Sequence, residues 1–179
     1  MSCSTLKGVN FSLCEPSMGG ITKIYLANAD EVSAVTIGTA STLTDEGITA
    51  ITMSGSCKFQ EFTVKKNTSS FTSTLNVSDN GASYVSTVIS YLMPRMDAAK
   101  RAAMQALIMS EAIAIVKDAN GNYWMIGDND NPLTNTAGTG ETGTAKGDAN
   151  QYTVELTAEQ DYWPYQVTAD AVASVLPSA

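Results

Sequence analysis

The chain contains no histidine in 179 residues. Histidine titrates near neutral pH, activates most Ser and Cys nucleophiles and is the commonest transition-metal ligand, so its absence excludes most familiar catalytic designs together. Cysteine is scarce as well. Cys3, Cys14 and Cys57 are an odd count without ligand or redox spacing, which predicts reduced thiols and no disulfide framework. Positive charge is short: 10 basic residues face 18 acidic ones, a net charge of −8. Affinity for nucleic acid comes largely from Lys and Arg at phosphates, so this chain is expected to repel DNA, a useful property in a channel through which DNA must slide. No apolar run approaches the roughly 20 residues that span a bilayer, and Met1 to Cys14 lacks the basic-then-apolar order of a secretory leader. A soluble protein made in a cytoplasm, with no membrane partner, is the expectation.

What is present suits one domain over residues 1–179, because 44% apolar content at this length can bury a sizeable core without staples. Residues 1–19 mix Ser, Gly and isolated apolar side chains and read as an extended arm. Beyond Gly19-Gly20, the β-rich runs Ile21 to Ala27, Val32 to Ile37 and Gly47 to Met53 predict strands. Cys57 to Lys66 and Ser69 to Ser78 are expected to pair as a long hairpin turning at Asn67-Thr68. Its return strand carries Phe71, Leu75 and Val77 on one face and Ser70, Thr72, Thr74 and Asn76 on the other. Tyr84 to Met93 is a further strand, covered on both faces.

Pro94 opens one predicted helix, Arg95 to Ser110, with Asp97 complementing its dipole and an apolar line through Met96, Ala99, Ala103, Ala106 and Leu107. A second hairpin joins Ala112 to Lys117 with Tyr123 to Gly127 through Asp118-Ala119-Asn120-Gly121. This stretch and Asp128-Asn129-Asp130-Asn131 also suggest calcium loops, but neither has the full spacing, and turn chemistry explains them better. Gly127 to Asn150, with TAGTGETGTAKGDAN, reads as a long assembly loop, either mobile or ordered by a partner. Its Lys146 is followed by Gly147 and Asp148, which argues against a phosphate loop. Gln151 to Thr157 resumes strict alternation. Tyr162, Trp163 and Tyr165 then form an aromatic cluster suited to sealing a barrel end or stacking on a sugar.

Glu46, Glu61, Glu111, Glu155 and Glu159 are the carboxylates with which glycoside hydrolysis without histidine could be run. Each sits where a solvated strand or helix end accounts for it, so the expectation is no enzyme, no cofactor and no metal site. The fold class expected is mainly β with one helix (α+β): an antiparallel sandwich or barrel, one flanking helix and long hairpins.

The order of these elements resembles the bacteriophage tail-tube fold. The segments GGITKIYLANADEV, GITAITMSG, STLNVSDNG, TAGTGETGTAKGD and DYWPYQV are similar to virion structural proteins of crAss-like gut phages. The resemblance spans about Gly19 to Val167. It implies a structural subunit of a phage tail, in a tube or a head-to-tail ring, that joins edge to edge with copies of itself into a hexameric or larger ring. Other virion tail and connector proteins are implied as neighbours, with DNA passing through the ring unheld. The interface expected carries Thr72, Thr74 and Asn76, the turn Lys65, Lys66 and Asn67, and the loop residues Thr134, Thr139 and Glu141. The alternative is a monomeric β-sandwich recognition module for carbohydrate or protein, binding through the Tyr162 to Tyr165 cluster.

Overall fold

The computed structural model describes residues 17–38 and 47–177. Eleven strands form two sheets. The larger contains β1 (Ile21–Asn28), β2 (Val32–Ile37), β3 (Gly47–Met53), β4 (Gln60–Phe62), β7 (Ala112–Asp118), β8 (Tyr123–Ile126) and β11 (Tyr165–Val167), in the order β2-β3-β11-β8-β7-β1-β4. The smaller contains β5 (Ser70–Val77), β6 (Ser83–Pro94), β9 (Thr134–Glu141) and β10 (Gln151–Gln160), in the order β5-β6-β10-β9. Mainly β with helices, as expected, the chain makes a sandwich, and neither sheet closes on itself into a barrel.

Strict alternation builds the smaller sheet. Val85, Thr87, Ile89, Tyr91 and Met93 of β6 are buried, as are Val154, Leu156 and Ala158 of β10. They meet Ile24 and Leu26 of β1, Ala114 and Val116 of β7 and Ile126 of β8 in the core between the sheets. The central strand β7 is apolar on both faces, because a second core lies on the far side of the large sheet. That side is covered by Phe59 and by Ala171, Val172 and Val175 of a helix, α2 (Ala169–Val175), which the sequence reading did not include. Thr168 caps it by accepting from the Ala171 N–H.

The other helix, α1 (Ala98–Met109), starts later than expected because Arg95 has a φ of 61° and Asp97 is the cap, accepting from the Lys100 N–H at 2.8 Å. Only Leu107 is buried. The expected contact face needs correction: Ala99 and Ala106 are exposed and Ala103 is half-buried, because Met104, which was not on the expected line, reaches the core together with the expected Leu107. Ala103 and Ala106 line an open groove of about 550 Å³ between α1 and β4.

Two further expectations are overturned. Cys57 to Lys66 does not pair with Ser69 to Ser78; β4 pairs with β1 in the large sheet, whereas β5 pairs with β6 in the small one. Phe59 and Phe62 have opposite destinations, the far core and the inter-sheet core, which holds their segment in the large sheet. The segment between them and β5 therefore crosses from sheet to sheet, with Asn67 at a φ of 62° and Thr68 Oγ1 donating to the Lys65 carbonyl.

Gly127 to Asn150 is not one long loop, since β9 pairs with β10 along its length. The sequence there lacks large apolar residues because the core face of β9 is glycine at positions 138 and 140, where the Met104 methyl fills the space at the first and the Tyr152 ring with the Met96 methyl at the second. The expected amino-terminal arm lies, up to residue 16, outside the described residues, as does Glu46.

Candidate assembly surface

Among the described residues the smaller sheet presents two unpaired edges, β5 and β9. Its inner face is the core just described. The outer face follows from register, since directly opposed residues share a face. Thr72, Thr74 and Asn76 oppose Val88, Ser86 and Tyr84 of β6. Thr134, Thr139 and Glu141 oppose Thr157, Thr153 and Gln151 of β10. The structure thus places six of the nine expected interface residues on one face of one sheet, three on each edge. Lys65, Lys66 and Asn67 do not join them; they are exposed in the crossover between the sheets.

Hydroxyls and amides dominate this outer face. Thr136 Oγ1 and Thr157 Oγ1 are 2.9 Å apart, and Gln151 Nε2 donates to Glu141 Oε1 at 2.7 Å. Glu141, Glu155 and Glu159 are its charged members, and none of the chain's 10 basic residues lies in β5, β6, β9 or β10. A surface of this kind is wet and negative, and offers phosphates nothing to hold.

The edges are matched in direction. Each neighbouring pair in β5-β6-β10-β9 is antiparallel, so β5 and β9 run oppositely. They are also staggered. One line across the sheet runs Ser70, Ser90, Glu155, Ala137, and beyond it Gly138 to Glu141 of β9 have no counterpart on β5. Another runs Thr72, Val88, Thr157, Thr134, and beyond it Ser73 to Val77 of β5 have none on β9. An offset of four to five residues over four strands is about one residue per strand, the stagger of a closed eight-stranded barrel with strands tilted by about 36°.

Turns at the sheet ends are held by carboxylates. Asp148 Oδ2 accepts from the N–H groups of Thr144 and Ala145, which keep its carboxyl below the usual value. At the other end of the sandwich, Asp128 accepts from the Tyr162 hydroxyl, from Gln160 and from the Asn131 and Asp130 N–H groups. Burial pushes its carboxyl up, but these hydrogen bonds outweigh burial and hold it below the usual value. Tyr162 is pushed far above its ordinary value, by burial first and then by that bond. Asp118 organises the β7–β8 turn: its carboxylate accepts from Asn120 N–H, Asn122 N–H and Trp124 Nε1.

The other candidate carboxylates divide between two places. Glu61 pairs with Lys23 at 3.0 Å, while Glu111 and Glu159 line an open cleft beside Asp130. Among the described residues no group of three or more His, Cys, Asp or Glu could hold a metal ion. In the aromatic cluster, Tyr162 and Tyr165 pack against each other with ring centres 5.0 Å apart and planes tilted by 39°, and Trp163 alone stands out, 55% exposed.

Features of the surface that the sequence reading missed are Gly138 and Gly140, which admit α1 to the edge, and the exposed Leu75, Val77 and Ile108. The alternate glycines of GTG, spaced by two, were the available signal. No family model matches the chain, and no curated protein or solved structure matches it.

Proposed function

We propose that this chain is a structural subunit of a bacteriophage tail, in a tube or a head-to-tail ring, whose copies assemble into a ring around a DNA channel. The carrying observation is the four-stranded sheet with two open edges of opposite direction, staggered by about one residue per strand. A rotation that places β9 of one copy beside β5 of the next continues the sheet with every neighbour antiparallel. A shift of four residues removes the stagger and keeps inner and outer faces aligned, because the shift is even. Thr72 then falls beside Thr139, Thr74 beside Ala137 and Asn76 beside Thr134. Such a contact uses different patches on the two partners and closes into a ring, leaving no strand edge in the small sheet exposed. The outer face, with three glutamates and no base, becomes the lumen wall and lets DNA pass. The phage assignment is supported by the resemblance of the segments quoted above; other tail and connector proteins are the expected neighbours, and the virion the expected location. On this reading the chain is not an enzyme and needs no cofactor.

The test is a disulfide. In a background with Cys3, Cys14 and Cys57 replaced by Ser, Thr72→Cys with Thr139→Cys places the thiols about 5 Å apart between copies but about 20 Å apart within one, where three strand spacings and a four-residue offset separate them. Mild oxidation should yield a covalent ladder ending at the ring, visible by denaturing electrophoresis and electron microscopy. Monomers that never cross-link would refute the ring.

One observation favours a second reading. Trp163, Phe71, Trp124 and Pro164 line an apolar groove of about 320 Å³, which suits a monomeric module that recognises carbohydrate or protein. Sedimentation separates the two, as the module stays near 18.8 kDa at all concentrations.

A further inference from the structure

The core face of a sheet is normally covered along its whole length, but on β5 the cover runs out. Phe71 packs against the inter-sheet core and Ser73 Oγ lies 2.8 Å from Thr87 Oγ1. Leu75 and Val77 continue the same face, Leu75 directly opposite the buried Val85, yet they are 51% and 69% exposed. On the opposite flank the situation is reversed: α1 overhangs the bare edge β9. A Cβ built on Gly140 would lie 3.4 Å from the Met96 methyl, and one on Gly138 3.2 Å from the Met104 methyl. Ile108, one helical turn beyond Met104 and on the same side of α1, is 63% exposed.

We infer that these are the two halves of one contact between copies of this chain, in which α1 of one copy covers Leu75 and Val77 of the next through Met104 and Ile108. The inference rests on the ring proposed above and adds its apolar lock. In the four-residue register, Phe71, Ser73 and Leu75 arrive beside Gly140, Gly138 and Asn135 of the neighbour. All three positions are on the core face, since Gly138 opposes the buried Val154 and Asn135 the buried Leu156. The chain passes along β9 in the antiparallel sense, from Met96 just before the helix at Gly140 to Met104 within it at Gly138, so the next helical turn, with Ile108, heads toward Asn135, where Leu75 arrives. The glycines keep this face of β9 low enough for one helix to cover two strands, its own β9 and the neighbour's β5. Strand pairing alone would leave Leu75 and Val77 wet on one side of the junction and Ile108 wet on the other, whereas this contact buries them together.

The contact is heterologous, which gives a test that strand pairing by itself does not. The full chain is prepared as Leu75→Asp and, separately, as Ile108→Asp; both residues are exposed in the monomer, so thermal melting should match the parent. Each variant has one damaged and one intact flank. Sedimentation velocity should show rings for the parent and monomers for each variant, with the assembly midpoint raised by at least about 100-fold, as burying an unpaired charge at an apolar contact requires. An equimolar mixture of the variants should give one-to-one dimers and nothing larger, because a single undamaged pair of flanks exists between them. If either Asp variant melts early, Leu75→Ser and Ile108→Ser give the same pattern with a smaller shift. Rings from both variants, or a mixture that stays monomeric while the parent forms rings, would overturn the lock and leave the ring standing. A parent that never assembles removes the ring and the lock together.

Discussion

The terminal methyl of Met104 lies over the backbone of Gly138, so close that a Cβ added at Gly138 would stand 3.2 Å from it. Two positions along the same strand, the Tyr152 ring lies over Gly140, with Cε1 2.8 Å and Cδ1 3.1 Å from such a Cβ. The two glycines look alike in the sequence but answer to different neighbours.

Gly138→Ala should therefore be nearly neutral, within about 0.5 kcal/mol, because the end of a flexible Met side chain can move and alanine lowers the entropy of the unfolded chain. Gly140→Ala must turn the Tyr152 ring off the strand and should cost about 1 to 2 kcal/mol. Urea denaturation of the two variants checks the contrast; equal effects would mean that α1 and Tyr152 do not hold β9 as described.

Tyr91 offers a gain in stability. Its ring sits fully buried between the sheets, edge-on to Phe62 at 6.2 Å, and its hydroxyl has no hydrogen-bond partner among the described residues. Burial pushes its ionisation far above the ordinary tyrosine value, so the group is a neutral, dry hydroxyl. Leaving such a group unpaired costs roughly 1 to 3 kcal/mol. Tyr91→Phe should raise unfolding free energy by about 1 kcal/mol in a denaturant melt, and a loss of that size would mean that the hydroxyl is satisfied.

Acid should loosen both ends of the β7–β8 hairpin and the turn after β8. Asp118 and Asp128 are each pushed up by burial and pulled down more strongly by hydrogen bonds, leaving both carboxyls below their ordinary value. A folded value below the unfolded one adds stability above the unfolded value, about pH 4, and loses it as pH falls through the folded one. Unfolding free energy should thus be flat from about pH 7 to 5 and fall below about pH 4. Asp118→Asn and Asp128→Asn should each cost about 1 to 2 kcal/mol at neutral pH and flatten the acid limb. An unchanged acid limb in both variants would place the titrating groups elsewhere.

Much of this fold was legible because local pattern and tertiary role agree. Val85, Thr87, Ile89, Tyr91 and Met93 alternate because β6 has one dry face, where both faces were expected to be covered, and Asp118 with Asn120-Gly121 marks a turn whose hydrogen bonds are local. The pairing of β5 was not legible, since alternation tells which face is apolar but not which strand supplies the partner. β9 was hidden for a different reason: its apolar cover comes from Met96 and Met104, some 40 residues earlier, so composition alone reads as a loop. Helix α2 carried its signals, a Thr168 cap and Ala171, Val172 and Val175 on one side, but over only seven residues. Of the surface itself, the polar residues of the β5 edge were visible as Ser/Thr alternation, whereas those of β9 were read only as loop residues. That they share one sheet, in opposite directions, needed the topology.

The charge of the outer face makes the channel reading testable without a particle. Glu155 and Glu159 lie on the central strand β10 and face away from the core, level with Ser90 and Ser86 of β6. In a ring they would repeat around the lumen, and no Lys or Arg of the four strands would offset them. Glu155→Lys with Glu159→Lys reverses two charges, a change of four units per copy, and supplies the phosphate contacts that the native wall lacks. Assembled parent rings should leave duplex DNA free at low salt, whereas rings of the double variant should retain it. Their affinity should fall with salt at a slope near −0.9 per phosphate neutralised. The substituted residues are on a wet face away from the proposed junction, so ring formation should survive the change. Variant rings that still ignore DNA would show that this face points outward, and the channel would need another wall.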